Sequence, residues 1–147
     1  MTVLGAGAPP APRVLPGFEQ VGRYFDRMTH LWTVQVHPGE YYVTQADEVV
    51  TTVLGSCVSV CLRDPALALG GMNHFLLPGE DGRHLGDAMR YGLYSLERLI
   101  NELVKYGGQR ERFEVKLFGG GRVMGGQADI GQENIDFVRR YLRQELL

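Results

Sequence analysis

Residues 47–64 read DEVVTTVLGSCVSVCLRD, and the interruption at Gly55-Ser56 between two β-branched, apolar runs decides how the chain is laid out. Val49 to Val53 has the composition of a strand, and glycine at 55 permits a tight bend over Leu54-Gly55-Ser56. The run from Val58 to Leu62 reads as a buried strand or as the start of a helix, because so short an apolar run does not fix its own period. Asp64-Pro65 ends it.

Upstream, LWTVQV (31–36) alternates Trp32, Val34 and Val36 with Thr33 and Gln35, which is the period of a half-buried strand. His37-Pro38-Gly39 forms a turn and EYYVT (40–44) a short strand. Before Leu31 the pattern fades. Residues 1–17 are rich in Ala, Pro and Gly, so residues 1–30 are expected to be a flexible tail and lead-in, with the folded domain spanning 31–147.

Downstream, ALALGGMNHFLLP (66–78) is expected to be a strand broken by Gly70-Gly71, followed by a loop at 78–83. From Arg90 to Tyr106, Leu93, Leu96, Ile100, Leu103 and Val104 recur at helical steps, and Gly107-Gly108 stops the helix. FEVKLFGGG (113–121) is a strand entering a glycine loop. From Ile130 onward, Ile135, Val138, Leu142 and Leu146 line one face of a second helix. Early strands with two late helices indicate an α/β layered sandwich.

Composition limits what such a domain can do. The 147 residues are 44% hydrophobic and 22% charged, with a net charge of −2. No basic stripe with interleaved aromatics suggests nucleic-acid binding, and no run approaches a membrane span. The N-terminus lacks a charged start followed by an apolar run, so a cytoplasmic protein with reduced thiols is expected. Cys57 and Cys61 have no second close-spaced pair of Cys or His, so a zinc site is not indicated. FGGGR lacks the Lys-Ser/Thr of a phosphate loop, and no cofactor is implied.

Chemistry concentrates at the bend. A cysteine directly after Gly-Ser sits where a turn can expose its thiol, and backbone N–H groups at such a turn can stabilise an oxyanion; Gly55 and Ser56 are the supporting candidates. A small buried thiol is the simpler reading of Cys57 alone. His74, flanked by Met72 and Phe75, supplies a base if the fold brings it near, and is otherwise a core histidine. Thr51 and Thr52 both precede the bend, and either hydroxyl could orient an imidazole.

LGSCVSVCLRDP, then GGMNHFLLP, then FGGGRVMGG and IGQENIDFV, with PGEYYVT upstream, together resemble the chemoreceptor glutamine deamidase family, CheD. The resemblance runs from about Leu31 to Leu147. It implies an α/β sandwich of mixed, largely antiparallel sheet with two main helices, akin to bacterial cytotoxic-factor deamidases. It also implies a cysteine-dependent protein-glutamine glutaminase that converts receptor glutamines to glutamate and releases ammonia through a thioester.

By position the nucleophile falls on Cys57 and the base on His74. The family threonine precedes the cysteine by six residues, which selects Thr51 over Thr52. The implied partners are chemoreceptor cytoplasmic domains and, in some species, a chemotaxis phosphatase of the CheC type. Family members continue past the last helix with a Gly-rich segment and a strand pair that this sequence, ending at Leu147, does not contain. A non-catalytic module of the same fold, binding a phosphatase or receptor, is the alternative.

Overall fold

A computed structural model describes residues 7–76, 85–122 and 129–146. The loop expected at 78–83 and the Val123–Gly126 part of the glycine segment lie outside those residues. Among the described residues, seven strands make two sheets. Strands β1 (Arg23–Asp26), β2 (Leu31–Gln35) and β4 (Val49–Thr51) form a small sheet in the order β1-β2-β4, and β2 and β4 run parallel. Strands β3 (Tyr41–Thr44), β5 (Val58–Asp64), β6 (Leu69–Asn73) and β7 (Glu114–Gly119) form an antiparallel sheet in the order β3-β6-β5-β7. Helices α1 (Leu85–Lys105) and α2 (Ile130–Leu146) complete the α/β layered fold.

The ambiguous run at Val58 is a strand, and it is the centre of the architecture. Its alternate residues Val58, Val60, Leu62 and Asp64 are all buried. They share a sheet face with Gly71 of β6, the partner of Leu62. A Cβ at Gly71 would lie 2.7 Å from Leu99 Cδ1 of α1 and 2.8 Å from the Tyr42 carbonyl oxygen. The glycine thus admits the helix onto the sheet, and β6 runs through Gly70-Gly71 where the sequence suggested a break. From α1, Leu96, Leu99, Ile100 and Leu103 fill this layer with at most 1% exposure. Phe75 lies between the helices: its ring occupies the space a Cβ at Gly92 would need, and it stacks on Phe137 of α2 at 5.5 Å. Truncation of such a side chain to alanine costs about 3–5 kcal/mol.

The opposite face carries Cys61 and Met72. The groove there is lined by Glu48 and Val50 together with Cys61 and Met72. Tyr42 and Thr44 of β3 both donate to Glu48, whose buried carboxylate also lies 3.6 Å from Arg23.

The fold begins well before Leu31. Phe18 is buried edge-on against Tyr41 and Tyr42, the Trp32 indole donates to the Pro9 carbonyl, and Arg23 donates to the Pro12 carbonyl. Residues 7–30 are therefore not a free tail. A Pro-rich chain lacks internal hydrogen bonds, and here its carbonyls are satisfied by side chains of the small sheet. The first helix begins at Leu85, ahead of the Arg90 start that the sequence suggested, but it stops where the sequence placed its end. Gly107 (φ +92°) and Gly108 return their N–H groups to Val104 and Leu103 and close α1, and Asp129 caps the start of α2 through the Gln132 N–H.

Candidate active site

The β5–β6 ladder continues past β5 toward the bend. Val58 and Phe75 exchange both backbone hydrogen bonds, at 2.9 and 2.8 Å. That register sets Ser59 opposite His74 and Cys57 opposite Leu76. Cys57 and His74 therefore lie diagonally on one face, the face turned away from Phe75 and the helices. Cys57 is half-buried and His74 buried. The thiol and the ring do not hydrogen-bond each other in the resting arrangement. Such contacts commonly tighten only when substrate is bound.

His74 is held at both its backbone and its ring. Its N–H donates to the Glu40 carbonyl, and its carbonyl accepts from Gly39, which fixes the strand end. At the ring, Nδ1 lies 2.8 Å from Thr52 Oγ1. The Thr52 hydroxyl gives its one hydrogen to the Val36 carbonyl at 2.6 Å, so toward the ring it can only accept. Nδ1 therefore carries the proton, and Nε2 is left with a free lone pair. Nε2 is buried and has no partner among the described residues.

The threonine at the ring is the neighbour of Thr51, the one that the resemblance selects. Thr51 is the last residue of β4, pairs with Gln35 and gives its carbonyl to the Val36 N–H. Strand alternation turns its side chain to the face opposite that of Thr52. It is Thr52 that reaches the ring.

The two titrating groups rest uncharged. Burial lowers the His74 pKa below the usual histidine value, opposed by the Val36 carbonyl and reinforced by nearby His37, a residue without a role in the sequence reading. Burial raises the Cys57 pKa, opposed by its own backbone N–H. The pair is thus suited to proton transfer at the moment of attack, with no standing thiolate–imidazolium pair.

The bend itself is clamped by its carbonyls. Gly55 O accepts from the Gly121 N–H, Ser56 O from Asn134 Nδ2 and Cys57 O from the Gly120 N–H, each at 2.8 Å. The glycine loop therefore grips the bend, and bare glycines are needed for the approach. A Cβ at Gly119, where φ is +98°, would lie 2.2 Å from the Cys57 carbonyl oxygen. Of the supporting candidates, Gly55 and Ser56 thus both have anchored carbonyls. Asn134 escaped the sequence reading. Its signal was a polar residue in register with Phe137 and Val138 on the apolar face of α2.

Known proteins match this chain along most of its length. The family model described as CheD chemotactic sensory transduction matches residues 76–147. A probable chemoreceptor glutamine deamidase CheD of Halorhodospira halophila is 49% identical over 141 residues, covering 91% of this chain and 65% of the relative. Proteins with that same name from Hahella chejuensis and Cupriavidus pinatubonensis are 49% and 51% identical over 137 residues, covering 90% and 89% of this chain. The chain spans 65%, 65% and 63% of these three relatives, just under two thirds of each. On this likeness, with the layered α/β fold and the Gly-Ser-Cys bend beside His74, the chain is similar to the CheD family along most of its length.

Proposed function

We propose that this chain deamidates glutamine side chains of chemotaxis receptors, with Cys57 as nucleophile, His74 as proton carrier and Thr52 as the residue that orients the ring. The observation that carries this reading is the Thr52–His74 contact, which leaves Nε2 a bare acceptor on the face Cys57 shares. His74 removes the thiol proton as Sγ attacks the carboxamide carbon. The imidazolium returns that proton to the departing nitrogen, which leaves as ammonia. Water, deprotonated by the same ring, then cleaves the thioester to glutamate and regenerates the thiol.

The name carried by the relatives, chemoreceptor glutamine deamidase, supports the substrate class. The same reading puts the protein in the cytoplasm, facing receptor cytoplasmic domains, with a CheC-type phosphatase as a second partner in species that have one. No helix among the described residues is long and apolar enough to cross a membrane. The test is to incubate the chain with a receptor cytoplasmic fragment and follow Gln-to-Glu conversion by peptide mass spectrometry, with Cys57→Ala as the control. Conversion lost in the variant supports the assignment. Conversion that persists removes Cys57 as nucleophile, and binding without conversion in the unaltered protein leaves the non-catalytic module.

A further inference from the structure

We infer that Asn134 of α2 is a positioning residue for catalysis: by holding the Ser56 carbonyl it turns the Cys57 backbone N–H toward the reacting carbonyl as an oxyanion donor. The inference rests on the proposed Cys57 chemistry and names a part of the site that sequence motifs did not reveal.

Asn134 is fully buried, and its Nδ2 donates to Ser56 O at 2.8 Å across 78 residues of sequence. In a trans peptide the C=O and the following N–H point in opposite directions. Anchoring Ser56 O on α2, on the helical side of the sheet, therefore aims the Cys57 N–H at the opposite side. That is the face occupied by His74 and the Cys57 thiol. No other described residue accepts the Cys57 N–H, which lies toward its own sulfur and there opposes the rise that burial gives the thiol pKa. The neighbouring peptides are held as well, since Gly121 and Gly120 anchor the carbonyls of Gly55 and Cys57. Those two anchors are backbone groups. Asn134 is the side chain of the three, and so the one a substitution can test.

An amide suits the position. Only a donor can face the Ser56 carbonyl, and a carboxylate of the same shape would repel it. The close approach that brings Asn134 to the bend is secured by Gly131 one turn earlier, where a Cβ would lie 2.3 Å from the Gly120 carbonyl oxygen.

Two reactions of the same thiol separate this role from simple support of the fold. Acylation by p-nitrophenyl acetate passes through a tetrahedral oxyanion: Sγ bonds the acetyl carbon, p-nitrophenolate leaves and the thiol proton is released. Alkylation by iodoacetamide displaces iodide at a saturated carbon and forms no oxyanion. Both rates are measured on Cys57 in a Cys61→Ala background, with Cys57→Ala subtracted. Asn134→Asp and Asn134→Ala are expected to slow acylation roughly tenfold to a hundredfold, on the scale of a lost oxyanion donor, while alkylation at the same pH changes less than about twofold. Asn134→Ser, which keeps a donor, recovers part of the acylation rate.

Equal slowing of both reactions, or of neither, overturns the proposal. So does a failure of all three variants to fold, which would make Asn134 a residue of the fold alone. If the unsubstituted protein acylates no faster than Cys57→Ala, the nucleophile assignment itself fails, a result readily told apart from the others.

Discussion

Thr52 Oγ1 and His74 Nδ1 lie 2.8 Å apart, and because the Thr52 hydrogen is already committed to the Val36 carbonyl, the contact fixes the histidine tautomer as well as its orientation. Thr52→Val keeps the shape and removes the acceptor. The ring can then rotate or exchange tautomers, so kcat for receptor deamidation is expected to fall about tenfold or more with KM little changed. The lost hydrogen bonds cost about 1 kcal/mol of stability. Thr51→Val, on the other side of β4, is expected to stay within about twofold of the parent rate. Equal losses in the two variants would restore Thr51 as a candidate.

Why the sequence pointed one residue away is a matter of phase. A strand turns successive side chains to opposite faces, so the choice between Thr51 and Thr52 depends on how β4 registers with β2, and that pairing is non-local. The bend at Gly55-Ser56, the strand from Leu31 and both helices were legible because their signals are local: a glycine between β-branched runs, an alternation, a 3.6-residue stripe. The ordered lead-in was not legible. Proline carbonyls offer no pattern until the Trp32 and Arg23 side chains arrive to satisfy them. Asn134 was hidden in the same way, since its partner lies in a bend far away in sequence.

The resting protonation states set the pH profile. Burial lowers the His74 pKa and raises that of Cys57, so near neutrality the site holds imidazole and thiol. General-base attack needs the unprotonated ring, so activity is retained above the His74 pKa and lost as pH falls through it. The acid limb of kcat/KM is expected below the ordinary histidine value of 6.5. A pH–rate series on the receptor fragment checks it. An acid limb displaced upward from that value would contradict a buried, unprotonated His74.

Away from the site, Asp64 ends β5 in a clamp with Arg112 and the Gln109 N–H. The Arg112 guanidinium hydrogen bonds, helped by the Gln109 and Ala66 N–H groups and opposed by burial, lower the Asp64 pKa from 3.8 to about 2. The folded state thus binds this proton less readily than the unfolded chain. The clamp's stabilisation is full above 3.8 and disappears as pH falls toward about 2. Asp64→Asn should lower Tm by several degrees at neutral pH, and the difference from the parent should close across that acid window. Thermal melts of both proteins from neutral to strongly acid pH decide it. A gap that stays constant would mean the charge is not what the clamp uses.

Gly119 and Gly17 separate backbone strain from crowding at the nucleophile bend. Both have φ of +98°, yet a Cβ at Gly17 meets nothing within 4 Å, whereas one at Gly119 would lie 2.2 Å from the Cys57 carbonyl oxygen. Gly17→Ala therefore pays only for a left-handed residue, about 1–2 kcal/mol. Gly119→Ala pays that and must also push the bend away from β7, breaking the 2.8 Å bond from Gly120 N–H to Cys57 O. Its loss of stability is expected to exceed that of Gly17→Ala by about 1–3 kcal/mol, the range for overpacking. Cys57 acylation should slow only in the Gly119 variant, because only there does the peptide that carries the nucleophile move. Denaturant titration and the acylation assay read the two effects separately. Equal costs at both positions, with acylation untouched, would show that the bend does not depend on the close approach of β7.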